Sequence, residues 1–484
     1  KGNPIMYSYQ EDAKVQKNRW WILIAISMFT FMSTLDGSIV NIALPTISDD
    51  MGIPMNQAEW VVSVYLMIVC SCLLLFGKIG DSRGKIKVFR IGTLIFVLGS
   101  LLCGFNHSLG ILLFARVVQA IGASMTMATN AGIITEVFPI HERGRALGAI
   151  GAFVSLGSIA GPGLGGLILS QFSWAYIFWI NVPVGIVTML IAEKFLPKDI
   201  TMSGHTIDGG GFAAIAATII SFFGAIFLGQ ESGFFHPVPL VLFVISVIAF
   251  VSFLKVEKKA ASPLISFGIF KNKIFTMSLI TALLIFSSNF FVNVVIPFYL
   301  QNARGLSPSY AGLLMMVFPL MMVVGAPLSG YLTDRVGPEI LVLVGLGLLS
   351  VTQVMYMFLS VDSPLWLYIV ATAIMGAGNA LFQSPNNTMV MSSVTIENLG
   401  LAGSMNSFAR NLGMVSGISL STTVLYQAMS AKMGQQVTNY IANRPDVFLY
   451  GMKITFLGSF VLCFVAFFLT IWRIKKQGGI QKNV

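Results

Sequence analysis

The chain has 484 residues, 56% hydrophobic and only 10% charged, with a formal net charge of +10 and a mean hydropathy of +0.83. A soluble globular chain carries about a quarter of its residues as Asp, Glu, Lys and Arg, so 29 basic and 19 acidic side chains cannot coat a soluble body of this size. Lipid must replace the missing polar surface, and about fourteen crossings of roughly 20 apolar residues each leave no room for a soluble catalytic domain, an ATPase module or an extracellular receptor domain.

In chain order, residues 1–19 read as a polar tail, with Lys1 to Ile5 an addition ahead of Met6. The first apolar run is longer than a signal-peptide core and has no cleavage site after it, so it reads as a spanning helix. Apolar runs broken by polar punctuation place the first six spans at Trp20–Leu44, Gln57–Gly77, Val88–Phe105, Leu109–Val137, Ala146–Gln171 and Trp174–Leu196. Two more follow at Gly210–Gly229 and Pro239–Val256. The last six are Ile274–Leu300, Tyr310–Leu332, Ile340–Leu359, Pro364–Met391, Leu399–Ala428 and Phe448–Ile474. The expected organisation is a tail (1–19), a first six-span half (20–197), two inserted spans with their linkers (198–273), a second six-span half (274–475) and a second tail (476–484).

Fourteen spans put both termini on one side. Of the Lys and Arg residues, 23 then fall on that side, four on the other and two within spans. The bias marks the terminal side as cytoplasmic, and the expected location is the cell membrane. The positive charge is thus a topology signal, and nucleic-acid binding needs no place. Cys70, Cys72, Cys103 and Cys463 all lie in apolar runs and read as small hydrophobes, without a disulfide or metal framework.

The sequence repeats. Gly77-Lys-Ile-Gly-Asp81-Ser-Arg83-Gly84 returns as Gly330-Tyr-Leu-Thr-Asp334-Arg335-Val-Gly337, an offset of 253, and Gly52-Ile with Ala58 returns as Gly305-Leu with Ala311 in the same register. Val40-Asn41-Ile-Ala-Leu-Pro45 matches Val292-Asn293-Val-Val-Ile-Pro297 one residue out of that register. Such anchors define two parallel six-helix halves with two helices inserted between them, the plan of the major facilitator fold.

The loop at Gly77–Val88, with Lys85 after Gly84, resembles motif A of the major facilitator superfamily, and its degenerate copy at Gly330–Gly337 stands where that superfamily repeats it. A solvated positive loop would explain the lysines but not the repeated Gly, Asp and Gly. The glycines permit a tight turn, and Asp81 can accept hydrogen bonds from a helix amino terminus. The resemblance implies a cytoplasmic latch between the halves made by Gly77, Asp81, Arg83, Gly84, Lys85, Asp334, Arg335 and Gly337. In the fifth span, Gly157, Gly161 and Gly165 follow at i, i+4 and i+8 with Pro162 between them, a smooth face for close helix packing. The run Gly161-Pro162-x-x-Gly165-Gly166 also resembles motif C, which marks antiporters and favours efflux over uptake.

Leu35-Asp36-Gly-Ser-Ile-Val-Asn41-Ile-Ala-Leu-Pro45 is similar to the first-helix signature of the fourteen-helix drug:proton antiporters, and Trp60-Val-Val-Ser-Val-Tyr65 fits the same subfamily. An ionisable group inside a span costs about 2.5–3.5 kcal/mol on insertion scales and is functional by default. Burial favours the neutral acid and a neighbouring cation favours the carboxylate, so Asp36 is suited to exchanging a proton. The competing reading is a structural ion pair with Arg116, which lies in Arg116-Val-Val-Gln119-Ala120-Ile-Gly122, close to motif B but with Ala120 where glycine is usual. Arg116 stays charged and would tune or release the proton of a nearby acid. The proton-coupling pair is therefore expected to be Asp36 with Arg116.

Ser33, Asn41, Tyr65, Gln119, Asn130, Asn289, Asn293, Asn379, Gln383, Asn386 and Arg410 are candidate walls of a substrate cavity. Amides in spans also serve as glue between helices, and Arg410 reads equally as pathway or packing. No Walker lysine motif, metal-binding helix or cysteine pair is present. The expectation is a non-enzymatic, all-α membrane protein, monomeric, without cofactor or metal. It would use the proton gradient to export amphipathic or cationic organic compounds through a fourteen-helix major facilitator fold. An exporter of a lipid or lipid-linked metabolite on the same fold is the alternative.

Overall fold

The computed structural model describes residues 9–105, 108–199, 208–260, 263–265, 267–394 and 399–476. The outer parts of both expected tails and residues 200–207 of the expected linker lie outside the described residues, as do some helical side chains, Asp334 among them. The first half comprises α1 (Ala13–Met51), α2 (Met55–Ala58), α3 (Trp60–Arg83), α4 (Lys85–Gly104), α5 (Leu109–Val137), α6 (Ile140–Gln171), α7 (Tyr176–Trp179) and α8 (Asn181–Phe195). The inserted pair is α9 (Gly209–Ser232) and α10 (Pro237–Lys259). The second half comprises α11 (Lys273–Phe298), α12 (Pro308–Met315), α13 (Val317–Val336), α14 (Pro338–Met357), α15 (Leu365–Ser392), α16 (Leu399–Met433) and α17 (Pro445–Lys476).

Fourteen crossings result, because α2–α3, α7–α8 and α12–α13 each make one, and a π turn at Tyr299–Ala303 extends α11. Among the described residues, twelve crossings are long and apolar enough to pass a bilayer by length and composition. The other two, α6 and α16, have the length, 32 and 35 residues, but are rich in glycine and serine. Large apolar side chains such as Phe114, Leu190, Val247, Ile248 and Leu313 point outward, as they must where the solvent is lipid.

The repeat read in the sequence is written in the backbone. Gly52 and Gly305 hold φ of 60° and 65°, and Gly84 and Gly337 hold 108° and 91°. These are left-handed values that favour glycine, and they terminate α1, the π turn after α11, α3 and α13 at matching places. Pro45 and Pro297 sit inside α1 and α11 at their corresponding ends. The inserted α9 packs against both α3 and α16, while α10 packs on α9.

The halves meet at the end of the bundle away from the termini, here called the far end. There Gln301 donates to the Ile42 carbonyl at 2.9 Å, Ser309 to the Gly166 carbonyl at 3.0 Å and Tyr426 to Glu59 at 3.1 Å. At the opposite, basic end no hydrogen bond joins the halves among the described residues.

Candidate functional site

The polar centre of the first half is built by three helices, α1, α5 and α8, that bring four ionic or amide side chains together, with a hydroxyl from α4 and a backbone carbonyl from α3. Asp36 of α1 and Arg116 of α5 form an ion pair of 2.7 Å, both side chains wholly enclosed. The second carboxylate oxygen of Asp36 accepts from Gln119 at 2.9 Å and from Asn181, at the start of α8, at 2.8 Å. Gln119 also donates to Ser100 of α4 at 2.8 Å and accepts from Arg116. The guanidinium further donates from Nε to the Val61 carbonyl of α3 at 2.9 Å. It stacks 4.2 Å above the Tyr65 ring, with Phe178 on another side at 5.5 Å.

Charge-assisted bonds of this kind are short and strong, and they are what allows a charged pair to sit in a core. The helix contacts that close the cluster are made by small residues. Gly99 of α4 lies against the backbone of Gln119, and Gly122 of α5 against that of Phe96. The ion pair that the sequence left as an alternative is thus present in this conformation. One polar atom of the cluster, Nη2 of Arg116, has no partner although buried, so the pair is not saturated.

Tyr65 and Gln119, expected on the cavity wall, are instead parts of this enclosed cluster. Asn181 was not singled out in the sequence, because a lone amide near Pro183 has no helical partner to make a stripe. The symmetry-related place in the second half holds no charge. There Ser288 of α11 shares its hydroxyl with Ser459 at 2.7 Å and Cys463 at 3.0 Å, both on α17.

The other expected wall residues divide. Ser33 donates to the Thr30 carbonyl and Asn41 to the Gly37 carbonyl, both within α1. Asn130 reaches Thr30 across helices at 3.3 Å. Asn289 of α11 and Asn379 of α15 form a reciprocal amide pair at 2.6 and 3.0 Å, and Asn386 donates to the Ser278 carbonyl at 3.3 Å. Amide oxygens of Asn41, Asn130 and Asn386 remain without partners. Asn293 and Gln383 are half-buried. Arg410 is also half-buried, 5.9 Å from the Phe286 ring, and forms no ion pair among the described residues.

At the basic end, Lys85 bridges Asp81 at 2.8 Å and Glu136 at 2.6 Å, all within the first half. Arg335 lies 4.5 Å from the ring of Tyr331 on its own helix. In this conformation no hydrogen bond or ion pair among the described motif residues joins the two halves. The amino terminus of α4 is capped by another acid: Asp199 accepts from the amides of Ile86 and Lys87, both at 2.8 Å. Gly84, at φ of 108°, lies against that carboxylate, where any side chain would collide with it.

The glycine run of α6 has two working faces. On one, a Cβ at Gly157 would stand 2.7 Å from the Phe31 carbonyl oxygen and one at Gly165 would stand 2.6 Å from Ile42, while Gly161 lies directly on Ser38, all of α1. On the other, a Cβ at Gly163 would meet Met316 at 2.6 Å and one at Gly166 the Pro308 carbonyl at 2.7 Å, while Gly312 rests on the Pro162 carbonyl.

The family model described as "Major Facilitator Superfamily" matches residues 26–418 and 279–481. The chain is 35% identical over 453 residues to the riboflavin transporter RibZ of Clostridioides difficile, covering 93% of the chain and 98% of the relative. It is 28% identical over 451 residues to multidrug resistance protein 3 of Bacillus subtilis, covering 90% and 88%. Among solved structures, a peptide transporter, POT, in complex with sulfate superposes with a TM-score of 0.67 at 13% identity, over 93% and 94% of the two chains. That last likeness is one of fold.

Proposed function

The chain belongs to the major facilitator superfamily, as a multi-pass, non-enzymatic membrane transporter of small molecules, and within it we propose a fourteen-helix, proton-coupled antiporter that exports amphipathic organic compounds. The observation that carries the proposal is the enclosed Asp36–Arg116 pair with its two amide donors. A proton on Asp36 removes the charge that ties α1 to α5 and α8. The helices of the first half can then shift, and the second half rocks over them. Release of the proton remakes the pair and resets the cycle. The gradient supplies the drive, and no cofactor enters.

The far-end bonds support reading this as the state open toward the basic end, which we take as cytoplasmic. In the opposite state Asp81, Arg83, Lys85, Asp334 and Arg335 would join the halves at the basic end, after Lys85 exchanges its partners.

The wall residues refine the substrate. Asp36 is sealed in its pair, and among the described candidate wall residues the one charged side chain is the cation Arg410. An amide-lined path with a cation suits neutral or weakly anionic heteroaromatic compounds better than cations. A second reading, transport of a riboflavin-like ring system, is favoured by the 35% identity to a riboflavin transporter.

The test is transport in proteoliposomes under an imposed pH gradient, with riboflavin, a neutral dye and a cationic dye offered in competition. Gradient-driven movement should favour the neutral ring systems, and Asp36→Asn should abolish the drive. Full gradient-driven transport by that variant would sink the proposal.

A further inference from the structure

Glu59 lies at the far end, between α2 and α3, and is 1% exposed. One carboxyl oxygen accepts the Tyr426 hydroxyl of α16 at 3.1 Å, a bond from the second half to the first. The other, Oε2, is buried without a partner. No cation forms an ion pair with it among the described residues.

The titratable and charged groups on the surrounding elements are committed elsewhere or stand apart. On α16, Lys432 lies over Tyr450. On α9, Glu231 is within 3.5 Å of Asn56. On α5, Arg116 is paired with Asp36 of α1. Asp50, at the end of α1, accepts from Trp174 at 2.7 Å, and its neighbour Asp49 is exposed. On α4, Cys103 faces Gln119, and Lys85, Lys87 and Arg90 are at the basic end. The helix α2 carries no charge.

An enclosed carboxylate with one donor and no counter-ion is much less favourable than the neutral acid in the same place. Contact with water reverses that preference. Glu59 is also wired to the enclosed pair. Its backbone carbonyl accepts from Val62, Ser63 and the Ser63 hydroxyl at the start of α3, and two residues on, the Val61 carbonyl accepts from Arg116. One turn of α3 therefore touches both the seam between the halves and the Asp36–Arg116 cluster.

We propose that Glu59 is a second protonation site of the transport cycle, which gates the far end: the seam closes over the protonated acid and opens with its ionisation. The proton comes from the water on the far side and returns to it, so Glu59 sets which way the halves face and leaves the number of coupled protons unchanged. The proposal rests on the alternating-access reading above and adds to it a residue that the transport assay does not probe.

The test measures the far-end distance in the full chain in lipid nanodiscs. Spin labels are placed at Gln171→Cys and Asp362→Cys, both exposed, with the four native cysteines replaced, and the pH is varied between about 5 and about 9. The expected result is a closed population that falls at least about tenfold relative to the open one as pH rises. Glu59→Gln should stay closed at every pH, and Glu59→Asp should keep a pH dependence. A Glu59→Gln variant with the wild-type profile, or a wild-type distance indifferent to pH, overturns the gate. Gradient-driven transport alongside either of those results would reject the gate and leave the coupling reading intact. A seam that titrates through Glu59 in a protein whose transport ignores the gradient would do the reverse.

Discussion

If Asp36 and Arg116 act as a unit, removing one must hurt more than removing both. Arg116→Gln leaves the Asp36 carboxylate enclosed with only Gln119 and Asn181 as donors, both on the same oxygen. Stripping one partner from a buried pair costs about 3–5 kcal/mol. The same change also removes the guanidinium from its place 4.2 Å above Tyr65, a further cost of about 1 kcal/mol. Asp36→Asn in turn strands a buried guanidinium that still holds the Val61 carbonyl, for about 3 kcal/mol. With both substitutions two neutral amides occupy the site, and only ordinary hydrogen bonds are weakened, at about 1–2 kcal/mol. The single effects sum to about 7–9 kcal/mol, so the double variant should fall short of that sum by at least about 5 kcal/mol. Equilibrium unfolding of the purified protein in mild detergent, followed by tryptophan fluorescence, measures all three. Stability should return in the double variant while gradient-driven transport stays lost in every one. Additivity within about 0.5 kcal/mol would refute the idea that the two charges form one energetic unit.

Three further outcomes follow from the packing. Gly161→Leu should separate α1 from α6, because Gly161 rests on Ser38; overpacking of this kind costs about 1–3 kcal/mol and is visible as a lowered unfolding midpoint in detergent. Asp199→Ala should remove the cap of α4 and cost about 1 kcal/mol, whereas Gly84→Ala, at φ of 108° and against Asp199, should cost more; the same unfolding assay ranks them. Asn289→Ala or Asn379→Ala should each cost about 1–3 kcal/mol by leaving a buried amide unpaired, with the double variant costing less than the sum, and competition transport would show whether either changes substrate preference.

The architecture was legible because the constraints that set it are local and repeated. Gly52 with Gly305 and Gly84 with Gly337 stand in register because the chain needs the same left-handed turn at the same place in each half. Asp36 and Arg116 stood out because charge is scarce in apolar runs, and their spatial meeting needed only two charges seeking partners. Asn181, Glu59 and Asp199 were not read as site residues for three separate reasons. Asn181 is a solitary amide in an apolar span, Glu59 sits within a turn of a span's edge where acids are commonly solvated, and Asp199 lies beyond its span in a linker. Each acquires its role from a helix distant in sequence: α1 for Asn181, α16 for Glu59 and α4 for Asp199. Nothing in the motif loop itself shows that Asp199 caps the helix that follows it.

Which end of the molecule is closed is not encoded in any one motif, and α6 shows why. Its face formed by Gly157, Gly161 and Gly165 lies on α1, within one half, and that contact can persist through the cycle. Its face formed by Pro162, Gly163 and Gly166 lies on Pro308, Gly312 and Met316 of the other half, and on the proposed alternating-access cycle that contact parts when the far end opens. The two faces need the same absence of side chains, but for different reasons. The first gains close packing and should be as deep as possible. On that proposed cycle the second must be close enough to seal and shallow enough to release, which backbone-to-backbone contact with the Ser309 to Gly166 hydrogen bond at 3.0 Å provides. A glycine pattern in the sequence announces both surfaces without distinguishing them. The distinction comes from which half lies opposite, and so a run that reads as plain helix packing holds one half together on one side and permits its separation from the other.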